Sequence, residues 1–281
     1  MRVAEALRAA AQGLAAVSDT ARLDAEILMA HALCVSRSDL LLRHMASEVP
    51  AGFVPLVTRR MAHEPVAYIV GHQEFFGLDF RVCADVLIPR GDSEVLVEVA
   101  LAARPDAGLV LDCGTGSGAL LLAVLANLPA ATGVGIDRSG AALAVAWGNA
   151  EALGLAARAR MVLADWDQPG WANGLGGPFD LVLANPPYVE DEAELDPCVR
   201  AYEPAGALFA GALGLDAYRI LIPQLPGLLA PCGVALVEIG HQQAQAVSHI
   251  VEAAGLCCRL HHDLGGRARV LQISHEMAGG L

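Results

Sequence analysis

The sequence predicts an α/β protein, an open and mostly parallel sheet covered by helices, preceded by a small all-helical domain. Three observations predict it: helical apolar spacing in the first 68 residues, short apolar runs alternating with helical stretches from residue 109, and a glycine-rich turn after the first of those runs. In the first region Leu7, Leu14, Leu23, Ile27 and Leu33 recur at helical spacing, with Ser18 and Asp19 placed as caps. This predicts four or five helices over residues 1–70, the periodic stretch closing at Pro65. Residues 74–82 alternate about Gly77-Leu78-Asp79 as a hairpin does, so residues 71–88 are expected to link the bundle to a second domain over 89–281. There Ser93 precedes Val95, Leu96, Val99 and Ala100 as the expected cap of a leading helix. The apolar runs 109–111, 133–136, 161–163, 181–184 and 234–239 read as strands of βα units buried on both faces. Residues 256–260 and 269–273 flank Gly265-Gly266 and are expected to pair antiparallel at the end of the sheet.

Composition narrows the function classes. A chain of 281 residues has room for two domains, and 55% hydrophobic with 17% charged residues excludes the disordered class. The net charge of −13 is uneven: residues 1–82 hold 8 Arg against 9 acids, residues 83–281 hold 10 Arg against 22 acids, and there is no Lys. Binding a nucleic-acid duplex relies on cations that replace phosphate counterions, so the acidic larger domain argues against direct nucleic-acid substrates and favours a basic protein segment. The seven cysteines, at 34, 83, 113, 198, 232, 257 and 258, are odd in number and form no C-x-x-C, which disfavours disulfides and zinc and points to a reducing, cytoplasmic setting. Glu5, Arg8 and Gln12 interrupt any signal-peptide core. Gly and Pro break the two long uncharged stretches 113–136 and 220–237, so no membrane span is expected.

Asp112-Cys113-Gly114-Thr115-Gly116-Ser117-Gly118 follows an apolar strand and precedes a helical run. Glycines there allow a tight turn and close approach to a ligand. Asp137 ends the next strand 23 positions after Gly114, near the spacing at which a carboxylate grips ribose hydroxyls, so the pair implies an adenosyl cofactor. The loop is G-x-G-x-G, whereas nicotinamide enzymes carry G-x-G-x-x-G, and Asp112 would repel a pyrophosphate. A phosphate-free, sulfonium-bearing cofactor suits that acid better. Asp165 and Trp166, beyond the third strand, are expected to offer a carboxylate to the adenine amino group and an aromatic face to the base.

Asn185-Pro186-Pro187-Tyr188 directly follows the strand at 181–184, where open α/β sheets bind ligands. Two prolines fix φ and remove two amide donors, leaving a rigid loop rich in acceptors. An amide nitrogen is a poor nucleophile because its lone pair is delocalised. Asn185 Oδ1 and the Pro186 carbonyl could hold its hydrogens and localise the pair, with Tyr188 stacked on the planar group.

With these residues in place the chain resembles the bacterial release factor glutamine methyltransferases, the HemK/PrmC family. The resemblance also runs through Pro65-Val66-Ala67-Tyr68-Ile69, Glu74-Phe75-Phe76-Gly77-Leu78, Val86-Leu87-Ile88-Pro89-Arg90, Tyr202-Glu203-Pro204, residues 214–219, and Glu238-Ile239-Gly240 with Gln242. It implies a Rossmann-like S-adenosylmethionine-dependent methyltransferase sheet and an N-terminal domain that docks class I peptide chain release factors. The implied reaction methylates the side-chain nitrogen of the glutamine in their Gly-Gly-Gln motif and leaves S-adenosylhomocysteine. Carried onto this chain, Asp112, Gly114, Thr115, Gly116, Ser117, Gly118, Asp137, Asp165, Trp166 and Asn185 would hold the cofactor, and Asn185, Pro186, Pro187 and Tyr188 the glutamine. The family's Pro-Arg-Pro-Glu-Thr-Glu is here Pro89-Arg90-Gly91-Asp92-Ser93-Glu94, one proline fewer. The alternatives share the tetrapeptide: glutamine methylation of a ribosomal protein and, less supported by charge, DNA adenine N6-methylation. The intact tetrapeptide weighs against a non-catalytic scaffold. Residues Glu190, Asp191, Glu192, Glu194 and Asp196 read either as a solvated loop or as a rim steering a basic partner. His261 and His262 are adjacent and cannot face one metal site from a strand, so no metal is expected.

Overall fold

The computed structural model describes residues 1–275. Its contacts divide the chain into two units, Met1–His72 with Leu195–Tyr202, and Gln73–Glu194 with the described part of 203–281. The sequence expects an uninterrupted helical region; the return of residues 195–202 to the first unit is an addition that apolar spacing cannot reveal. The hairpin region also groups with the larger unit.

The first unit contains helices α1 (Val3–Leu14), α2 (Ala21–Leu33), α3 (Arg37–Asp39), which continues as a wider turn over Leu40–His44, α4 (Phe53–Met61) and α5 (Val66–Val70). Val3, Leu7, Leu14, Leu28, Met29, Leu40, Phe53 and Ile69 form its core. Pro65 does not close this region. It stands at the start of α5, where its fixed φ and missing N–H cost nothing. Ser18 and Asp19 do not cap α2 either: Thr20 takes the cap position, while the Ser18 and Thr20 hydroxyls donate to Asp24 at 2.7 and 2.9 Å. Asp24 is buried and paired with buried Arg60 at 2.8 Å, so these hydroxyls satisfy the remaining acceptor capacity of an ion that water cannot reach. Within the same unit the Tyr202 hydroxyl donates to the Ala62 carbonyl at 2.8 Å.

From Gln73 the second unit carries strand β1 (His72–Phe75), whose first residue closes the first unit, and β2 (Leu78–Arg81). Their turn lies at Phe76-Gly77, with φ of 51° and 74°, and not at the expected Gly77-Leu78-Asp79. A two-residue hairpin loop whose twist matches its strands takes φ > 0 at both central positions, and the Glu94 and Glu74 carboxylates accept the Phe76 and Gly77 amides at 2.9 and 2.6 Å. Helix α6 (Glu94–Ala103) follows, with Ser93 before it as expected, but the buried Ser93 hydroxyl makes no cap bond.

The main sheet comprises β3 (Leu109–Cys113), β4 (Thr132–Asp137), β5 (Ala159–Leu163), β6 (Phe179–Ala184), β7 (Leu229–Glu238), β8 (Cys257–His262) and β9 (Ala268–Ser274). Its order is β5-β4-β3-β6-β7-β9-β8. The first five strands are parallel, and β9 inserts antiparallel between β7 and β8. All five sequence-predicted strands and the terminal hairpin are present. Successive side chains leave a strand on opposite faces, which separates two cores. Val110, Leu181, Leu183, Val234 and Leu236 face α6 and α7 (Ala119–Asn127). Leu111, Val182, Ala184, Ala235 and Val237 face α10 (Asp216–Leu221), α11 (Leu225–Leu228) and α12 (Ala244–Ala253). Helix α8 (Gly140–Ala152) links β4 to β5, capped by the Ser139 hydroxyl on the Ala142 amide at 3.2 Å, and α9 (Pro197–Tyr202) lies in the first unit. Among the described residues no helix is long and apolar enough to cross a membrane.

Candidate functional site

Strand order reverses at β3, with β4 on one side and β6 on the other, so the loops leaving these three strands meet at one crevice. The crevice is a cavity of ≈ 450 Å³ lying wholly within the second unit.

Its floor is the glycine loop. Gly114, Gly116 and Gly118 take φ of 76°, 55° and 83°, values that side chains resist. The Gly114 and Thr115 amides both donate to the Ile136 carbonyl, at 2.9 and 2.8 Å, tying the loop to the end of β4. Gly114 has a second reason to be glycine: a Cβ there would lie 3.1 Å from the Trp166 ring, which covers the loop. Asp137 is held in place because its two carboxylate oxygens accept the Gly116 and Ser139 amides, at 3.0 and 2.9 Å. Each oxygen keeps a lone pair for a ligand.

Of the expected cofactor residues, Gly114, Thr115, Gly116, Ser117, Asp137, Asp165, Trp166 and Asn185 line this cavity. Asp112 and Gly118 do not. Asp112 lies beneath the loop, 1% exposed, where Oδ2 accepts the Thr115 hydroxyl at 2.7 Å and Oδ1 has no partner among the described residues. Burial, reinforced by the negative charge of Asp137, pushes its carboxyl up to about 7. From the tetrapeptide, Asn185 and Pro187 line the cavity, whereas Pro186 is buried and Tyr188 packs into the core on the α10–α12 side. The Tyr188 hydroxyl donates to Glu238 Oε1 at 3.3 Å, and burial with the Glu238 charge keeps that phenol protonated far above neutral pH.

Several residues that do not themselves line the cavity carry no role in the sequence reading. Glu203, 5% exposed, accepts the Ile88 amide at 3.2 Å and pairs with Arg90, fixing the wall over residues 86–90. Its position inside Tyr202-Glu203-Pro204 was the available signal. Gln243, which has no role in the sequence reading, donates from Nε2 to the Tyr188 carbonyl of the tetrapeptide at 3.0 Å. His261 hydrogen-bonds Gln272 across the β8–β9 pair at 2.9 Å.

The segment that departs from the family pattern is an ordered turn. Residues Gly91–Ser93 form one 3-10 turn; Asp92 pairs with Arg269 at 2.9 Å, and a Cβ on Gly91 would meet nothing within 4 Å. Arg90 is extended (φ −103°, ψ 140°), as a residue before proline must be. Gly91→Pro is therefore expected to raise stability by about 0.4–1 kcal/mol through the unfolded state, read as an increase in Tm with unchanged cofactor affinity. A lower Tm would contradict this account of the turn.

The family model of the PrmC N-terminal domain matches residues 5–71, and that of the methyltransferase small domain matches residues 91–202. The chain is 44% identical over 267 residues to the release factor glutamine methyltransferase of Rhodospirillum rubrum, covering 92% of this chain and 81% of that one. It is 45% identical over 279 residues to the Cereibacter sphaeroides protein of the same name, covering 96% and 98%. The chain belongs to the release factor glutamine methyltransferase family. Among solved structures, the hMettl16 catalytic domain, in complex with a MAT2A 3'UTR hairpin, aligns with TM-score 0.56 at 15% identity over 80% of this chain and 84% of that one, a likeness of fold. The resemblance read from the motifs is thereby confirmed.

Proposed function

We propose that this protein transfers a methyl group from S-adenosylmethionine to the side-chain amide nitrogen of the glutamine in the Gly-Gly-Gln motif of class I peptide chain release factors. The observation that carries the reading is that Asn185 and Pro187 open on the same cavity as the glycine loop, Asp137 and Trp166.

The residues present fit the cofactor. The Gly114 loop lies under an aromatic ring with no Cβ between them, a carboxylate suited to ribose hydroxyls is fixed at the end of β4, and the surrounding acids favour a cationic, phosphate-free group. When bound, S-adenosylmethionine supplies an electrophilic methyl on a positively charged sulfur. Trp166 would flank the adenine, Asp137 the ribose, and Asp165 the adenine amino group. The chain's part in catalysis is orientation: Asn185 Oδ1, which opens on the cavity, accepts an amide hydrogen of the glutamine and aims its nitrogen lone pair at the methyl, and the carbonyl of Pro186, a buried residue that does not line the cavity, is the expected second acceptor. The bond that breaks would leave its electron pair on the sulfur as a neutral thioether, and the cationic N-methylated amide, far more acidic than the free amide, gives its extra proton to solvent, so no strong base is required.

Residues 1–70 are the docking domain of this reading, and the enzyme works in the cytoplasm with no nucleic-acid substrate. Glu190, Asp191, Glu192 and Glu194 are exposed directly beyond the tetrapeptide, where they form a rim that steers a basic factor. Neutralising all four is expected to slow association with the factor about tenfold at low salt and to flatten its salt dependence, with kcat retained. Unchanged association kinetics in stopped flow would remove the rim from the account.

The reaction is tested by supplying labelled S-adenosylmethionine with an unmodified class I release factor, a ribosomal protein carrying a methylatable glutamine, and duplex DNA in parallel. Transfer to the factor far in excess of the other two supports the reading. Preferential labelling of the ribosomal protein or the DNA contradicts it.

A further inference from the structure

Tyr188 is held at both ends from β7 and the turn that follows it. At one end its hydroxyl donates to Glu238 Oε1, on the last residue of β7, at 3.3 Å. At the other end its main-chain carbonyl accepts from Gln243 Nε2 at 3.0 Å. Gln243 stands at the start of α12, and its amide is used throughout: Nε2 also reaches the Gly214 carbonyl at 3.2 Å, while Oε1 accepts the Gly240 amide at 3.1 Å. Close packing enforces the arrangement, since a Cβ on Gly214 would come within 2.2 Å of the Tyr188 carbonyl oxygen and 2.7 Å of Gln243 Nε2. Glu238 is 1% exposed and is fixed in turn, because its own carbonyl accepts the hydroxyl of fully buried Tyr218 at 3.0 Å. The hydroxyl contact is a long one, and the firmer hold is the 3.0 Å bond from Gln243 to the Tyr188 carbonyl; together they fix the residue at both ends of its length.

We propose that Glu238 and Gln243 are positioning residues that act through Tyr188, and that Tyr188 serves as the anchor of the tetrapeptide, locked from beneath by its hydroxyl and its carbonyl. Three residues upstream, Asn185 has one half-exposed side chain to place at the cavity, and two prolines transmit the anchor's position because their φ angles cannot relax. This rests on the methyltransferase reading for its consequence in catalysis, but the anchor itself is a property of the chain.

A stacking platform survives loss of the hydroxyl, whereas an anchor does not. Tyr188→Phe and Glu238→Ala are each expected to lower kcat on the order of tenfold, with cofactor affinity within about twofold by calorimetry, and the double variant is expected to fall no lower than either single one. Glu238→Gln, whose amide oxygen still accepts the phenol, recovers most of the loss. Fully active Tyr188→Phe, or losses that multiply in the double variant, would overturn the link through the hydroxyl. A second readout is independent of the acceptor. With four tyrosines in the chain, fluorine NMR of the 3-fluorotyrosine-labelled protein can assign Tyr188 by its disappearance in Tyr188→Phe. Its resonance is expected to shift or broaden in Gln243→Ala and Glu238→Ala and to stay near its original position in Glu238→Gln. If Glu238→Ala does not fold, Gln243→Ala and Glu238→Gln carry this test. A resonance unmoved in Gln243→Ala overturns the anchor; a moved resonance in a protein that transfers no methyl to any release factor supports the anchor and overturns the functional reading alone.

Discussion

Asn185→Ala is expected to lower methyl transfer to a release factor by roughly 10²–10³-fold, the usual consequence of removing one preorganised polar group from a reacting centre. Asn185 is half-exposed at the end of β6 and lines the cavity, so the change removes a side chain without opening a hole in either core. Tm should therefore stay close to that of the unaltered protein. The loss should appear in kcat, measured by single turnover, with the KM for the factor changed little, because the amide is gripped most strongly as its lone pair localises toward the methyl. A loss below tenfold would mean that the Pro186 carbonyl and simple proximity to the donor suffice.

Asp112→Asn is expected to stabilise the protein in a pH-dependent way. The Asp112 carboxyl is pushed by burial from an ordinary 3.8 up to about 7, so the folded state keeps a proton that the unfolded state gives up. The stability this proton contributes is fully present below the unfolded value and is lost as pH rises towards 7, where the buried group must ionise. Asparagine mimics the protonated acid and still accepts from Thr115. Its advantage over the unaltered protein should grow by about 2–3 kcal/mol from about pH 5 to about pH 8 and then level off. Chemical unfolding across that range reads it directly. An advantage that does not change with pH would show that Asp112 is already ionised in the folded state.

Much of this molecule was legible in its sequence because the physics involved is local. Apolar runs at 109–111 or 181–184 need only be short and bounded to announce buried parallel strands. A loop with three glycines after such a strand announces a ligand turn, and two prolines in a row announce a rigid one. Long-range pairings were not legible. Nothing local says that Glu203 reaches back to Ile88 and Arg90, that Asp92 meets Arg269, or that Gln243 clasps Tyr188. Ser18 does not cap its helix because its hydroxyl is taken by the buried Asp24 of the ion pair, whereas Ser93 stands at the expected cap position but its buried hydroxyl makes no bond to the helix terminus. Asp112 shows the same limit at the site. Its place beside the glycines suggested a ligand contact, and the alternation of β3 puts it under the loop instead.

One glutamine nitrogen on a release factor is where the methyl is expected to arrive. Tandem mass spectrometry of an unmodified class I factor, after incubation with this protein and S-adenosylmethionine, tests it most directly. A single methyl on the Gly-Gly-Gln glutamine, absent when the protein carries Asn185→Ala, is the predicted result. Methylation elsewhere on the factor, or at that glutamine with Asn185→Ala as readily as with the unaltered protein, would contradict it.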